Sequence, residues 1–108
     1  MKVEIELNDL VKALREPQST TEAHPYIIGK NYVVRTVTMT LTGRLVFVGA
    51  QELLLEDAAW VADSGRWADF LNSPNTAKEV EPFPESVVIG RASIVDACEI
   101  KTTLRTQK

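Results

Sequence analysis

Side chains suited to chemistry are few and scattered in this 108-residue sequence. His24 is its one histidine and Cys98 its one cysteine, which excludes an internal disulfide, a multi-cysteine zinc site and a histidine cluster around a metal. A nucleophile or general base needs convergent partners, and no local feature supplies them to either residue. His24 precedes Pro25 at the edge of a linker and reads as a surface histidine. Cys98, near Ala97 and Ile100, reads as a small buried strand residue. Glu56 and Asp57 are adjacent carboxylates, but neighbours on a strand point to opposite faces and would not share a proton. Asp57 is expected to bond backbone instead. The sequence thus predicts no enzyme, no cofactor and no metal site.

Binding is the other chemistry to weigh. A formal charge of −3, with 44% apolar and 25% charged residues, describes an ordinary soluble domain rather than one with a general basic field for nucleic acid or anionic membrane. Trp60, Trp67 and Phe70 are candidates for a recognition platform. At helical spacing, however, Trp67 and Phe70 are better read as the face that anchors an excursion. Arg35 stands among apolar neighbours, and three placements stay open: pairing with Asp57 or Asp96, lining a pore, or lying at a strand end.

The length fits one domain over 1–108. Leu7, Leu10, Val11 and Leu14 are spaced for a short helix over about 8–15, stopped by Pro17. From Tyr26 the pattern turns to period two. Tyr32 to Leu41 is rich in Val and Thr and predicts a strand, with Val33, Val37, Met39 and Leu41 inside and Val34, Thr36, Thr38 and Thr40 outside. Thr42-Gly43 reads as a tight reversal, Arg44 to Val48 as its partner strand, and Glu52 to Val61 as a third strand. Residues 62–85 form an excursion with one short helix around Trp67, Phe70 and Leu71. Val87–Arg91 and Ile94–Ile100 are two short final strands, and 101–108 is a polar tail expected to fray. No apolar run approaches the roughly 20 residues of a membrane span. The acidic start lacks the apolar segment of a secretory signal, so a soluble, cytoplasmic protein is expected. These elements describe a mainly β, strongly bent five-stranded barrel. A helix ahead of it favours the SH3-like arrangement over the OB type.

Two stretches resemble the motifs of the Sm/LSm family, which includes the bacterial Hfq proteins. Gly43, Leu45, Leu53, Leu55, Asp57 and Ala58 match the outline of the first motif. Val88-Ile-Gly-Arg-Ala-Ser-Ile-Val resembles the second, with glycine and arginine in reversed order. GRLV followed by LLLEDAAWV is similar to Sm-like proteins of phage or environmental origin. The resemblance implies an SH3-like barrel behind an N-terminal helix, in a bacterial cell or phage-encoded. It also implies a closed homo-oligomeric ring, with Val87, Val88 and Ile89 of one subunit pairing against Ile94, Val95 and Cys98 of the next.

Single-stranded RNA binding is the alternative function that the resemblance implies. The expected contacts are Arg91, Lys30 and Arg44 for phosphate and Tyr32 for stacking. Against it, Gly49 or Ala50 and Glu52 stand where the family uses an aspartate and an asparagine to hold uracil, and Glu52 brings a negative charge near phosphates. A structural or binding ring is the leading reading. A small enzyme with a pocket under residues 62–85 is the third.

Overall fold

The computed structural model describes residues 23–108. The helix expected over 8–15 lies outside the described residues. The described residues are mainly β, with six antiparallel strands: β1 (Asn31–Thr36), β2 (Thr40–Val48), β3 (Glu52–Asp63), β4 (Glu79–Pro82), β5 (Val87–Gly90) and β6 (Ile94–Ile100). One short helix, α1 (Trp67–Asn72), and two 3-10 turns, Pro74–Thr76 and Arg91–Ser93, are the other elements among the described residues. The sheet order is β4-β3-β2-β1-β6, with β5 added on β3. On the edge away from β2, long β3 serves two partners: Glu52–Leu55 pair with β5, and residues from Ala59 onward pair with β4.

Alternation along β1 builds two cores at once. Val33 and Val34 are adjacent and both buried, so they enter opposite faces. Val34 joins Tyr32, Leu41, Leu45, Val48, Leu53, Leu55, Ala58 and Ile89, with Ile94 and Ala97 packed alongside. Both β5 and β6 contribute to this cluster, so the sheet curls around it. Val33 belongs to a second cluster with Ala59, Val61, Phe70, Ala77, Val80 and Ile100, covered by Leu71 and Leu104. Each fully buried Leu or Val contributes about 1.5–3 kcal/mol.

Several expectations are corrected. The reversal after β1 falls at Val37–Met39, not at Thr42-Gly43. The hydroxyl of Thr36 accepts the Met39 N–H at 3.0 Å, and the Thr36 N–H donates to the Met39 carbonyl at 2.7 Å. Threonine thereby closes its own turn, and it outcompetes the β propensity of the run. Val37 is consequently 76% exposed, and Met39 is exposed too, rather than filling the inside. Gly43 sits in mid-β2 opposite Tyr32.

The excursion holds a sixth strand, β4, where Glu79-Val80-Glu81 alternates with Val80 buried. Cys98 is exposed rather than buried, on β6 at the end of the sheet order. The tail does not simply fray, since Leu104 packs on the second cluster.

Glu56 and Asp57 do not diverge. Asp57 has a positive φ of 52°, a left-handed conformation that aspartate tolerates better than most residues. Between the pairs Thr42↔Ala59 and Arg44↔Glu56, β3 carries one residue more than β2, which is a bulge. The bulge breaks alternation and turns both carboxylates toward Arg44.

Thr42 is 1% exposed, and its hydroxyl has no hydrogen-bond partner among the described residues. Thr42→Val keeps the shape and removes the buried oxygen, so it is expected to raise stability by about 1 kcal/mol in urea unfolding. A fall in the urea midpoint would show that the hydroxyl is bonded.

Candidate functional site

The four residues expected to contact RNA are positioned by three different parts of the sheet. Arg91 opens the turn between β5 and β6. Its Nη1 donates to the Gly49 carbonyl at 2.8 Å, and its backbone N–H donates to the Gln51 carbonyl at 2.8 Å. The guanidinium also lies 5.8 Å from the centroid of the Tyr26 ring. Arg91 therefore ties the β5–β6 turn to the β2–β3 turn. Tyr32 is buried in the first cluster; its Oη accepts the Ile27 N–H at 2.9 Å, and its ring meets Tyr26 edge-on. Its ring is packed in the core rather than open at the surface.

Arg44 donates Nη2 to Glu56 at 2.8 Å and Nη1 to Asp57 at 2.5 Å. The hydrogen bond it donates to Asp57 is the main cause that raises its pKa, and two carboxylates offset its one charge. Lys30 is exposed just before β1, where its carbonyl accepts the Leu45 N–H at 2.9 Å. Along β2, Arg44 and Gly49 are separated by roughly 16 Å of extended chain. The cations thus form no continuous phosphate track. A Cβ on Gly49 would lie 2.9 Å from Glu52 Oε1, so the Glu52 carboxylate folds over that turn. Uridine-rich single strands are expected to show no saturable binding at low salt in fluorescence anisotropy. Binding that falls steeply with added salt would contradict this.

Arg35 resolves to one of its three placements. Its guanidinium makes a two-pronged ion pair with Asp96 on β6, and its centre lies 5.1 Å from the Trp67 ring centroid. Hydrogen bonds from Arg35, then its charge, hold the Asp96 carboxyl below the ordinary carboxylate range. That contribution is present at neutral pH and is lost as pH falls through the lowered value. Both groups are exposed, so salt screens it. The arrangement clamps α1 and edge strand β6 to β1.

His24 is half-buried, its ring 6.0 Å from that of Tyr26, and no carboxylate bonds it among the described residues. Among the described residues no three His, Cys, Asp or Glu side chains are grouped to hold a metal. Beneath the excursion, Phe70, Ala77 and Val80 fill the space.

The sheet's free edges are its most distinctive surface. Within the described residues β5 pairs only with β3, and β6 only with β1. Ile89 is buried, Val87 and Ile94 lean on the first cluster, and Val88, Val95 and Cys98 face outward. Val88 is 68% exposed and Val95 66% exposed. No protein-family model, curated protein or solved structure matches this chain. What the molecule does must therefore be argued from these edges. Among the described residues no helix is long and apolar enough to cross a membrane. The edges were legible beforehand from two short apolar strands around an Ala-Ser turn. The Arg35–Trp67 contact was not, because it joins positions far apart in sequence.

Proposed function

We propose that this chain is a non-enzymatic, Sm-like module whose copies join head to tail through β5 and β6 into a closed ring. In this reading β1, β2, β3, β5 and β6 form an SH3-like barrel, and β4 is an addition carried by the excursion. The observation that carries the proposal is the pair of free edges, each bearing an exposed valine. Unpaired backbone on an edge favours strand addition. Two different edges on one chain make a heterologous contact, and that contact closes into a ring when its rotation permits. Arg91 supports the geometry, because it holds the single turn that sets one edge relative to the other.

Val88→Lys and Val95→Lys test this directly. Both side chains are exposed, so the fold should survive, while the lysine charge would be desolvated at the contact. Each variant alone is expected to run at lower mass in light scattering than the unaltered chain. Mixing the two should give a dimer, because one intact edge remains on each. A mass unchanged by either substitution would overturn the proposal.

A further inference from the structure

Residues 101–108 leave β6 and run beside β4. The Asn31 amide donates to the Thr102 carbonyl at 3.0 Å, Leu104 packs on the second cluster, and Arg105 Nη1 donates to the Ala77 carbonyl. Lys108 Nζ lies 3.2 Å from the Glu81 carboxylate. Lys78, Glu79, Val80 and Glu81 line a cleft of about 170 Å³ with Arg105 and Lys108 as the facing wall. Among the described residues no backbone hydrogen bond joins this segment to β4, and β4 pairs only with β3. The segment covers the edge without completing its ladder.

We infer that residues 101–108 are an edge strap, which keeps β4 from pairing with the β4 strand of a second copy. Covering an edge, shortening it and placing proline in it are three ways to prevent strand addition. β4 shows all three: it has four residues, it ends at Pro82, and the strap lies against it. Edge β6 has seven residues and no proline, and no strap contact reaches Val95 or Cys98. The fold therefore treats its edges unequally.

The hold is light, since it rests on one apolar side chain, the Asn31–Thr102 and Arg105–Ala77 hydrogen bonds and one exposed ion pair. Once the strap lifts, β4 can meet its own copy in an antiparallel, two-fold contact, unlike the head-to-tail contact proposed above. That contrast alone rests on the assembly reading.

The test uses the full chain carrying Val95→Lys, with and without Leu104→Asp and Arg105→Ser. With the strap intact, the mass should not depend on concentration. With the strap released, a species of twice that mass should grow with concentration, and Val80 and Glu81 amides should exchange more slowly at high concentration. A folded, released variant whose mass and exchange ignore concentration would overturn the strap. If Leu104→Asp unfolds the chain, Arg105→Ser with Lys108→Glu carries the same comparison, leaving the apolar contact in place. If the Val95→Lys chain is as large as the unaltered one, the head-to-tail reading fails, while the change on strap release still decides this inference.

Discussion

Phe70→Ala is expected to lower stability by about 3–5 kcal/mol, the range for emptying a fully buried aromatic site. Phe70 is 0% exposed and is the buried residue of α1. A six-residue helix does not hold itself in water, so this side chain fastens it to the sheet. Removing the ring leaves Val33, Ala59, Val61 and Val80 around a void too well framed to collapse. Against a typical total of about 5–15 kcal/mol, that loss is a large fraction. Urea unfolding reads it as a lower midpoint, and amides of residues 67–72 should exchange faster. A loss below about 1 kcal/mol would mean that the excursion is not a structural part of the domain. Trp67→Ala should cost less, because that ring is partly exposed and rests on Arg35.

Gly43→Val is expected to destabilise by about 3 kcal/mol, the upper part of the range for overpacking. A Cβ at this position would lie 2.9 Å from Leu55 Cβ, 3.0 Å from Leu55 Cδ1 and 3.3 Å from Ala58 Cβ. The first of those atoms is anchored to the β3 backbone and cannot swing aside. The reason for the close approach is the bulge at Asp57, which folds β3 sharply over β2. Gly43 therefore marks a crossing rather than a turn, and its φ is not in the left-handed region. Gly43→Ala should show a smaller loss of the same sign. An unchanged urea midpoint for both variants would place the bend elsewhere.

These two positions show how far the sequence could be read. Phe70 as an anchor follows from its spacing with Trp67, and both final strands follow from their apolar runs. Gly43 was legible as special but not for its reason, since close approach to Leu55 depends on a partner strand. TVTMTLTG misleads for a related cause. Its alternation suits a strand, yet the hydroxyl of Thr36 bonds backbone three residues on and makes a turn. β4 hides inside residues 62–85, which read as an excursion with one short helix, because it has four residues and ends at a proline.

The candidate site divides in the same way. Val88 and Val95 face outward as expected of edge strands, and Cys98, expected inside, does so as well. Arg44 and Tyr32 have the right chemistry for RNA, but their partners lie in strands whose register sequence alone does not reveal. Two carboxylates take up Arg44, and the core takes up Tyr32.

The central claim is head-to-tail assembly through β5 and β6, and the mass of the unaltered chain in solution tests it most directly. Native mass spectrometry with light scattering at micromolar concentration is expected to show one dominant species. Its mass should be a fixed multiple of the protomer and should stay constant on moderate dilution, as a closed ring requires. A monomer at every concentration would contradict the account, and so would an open series of sizes that grows with concentration.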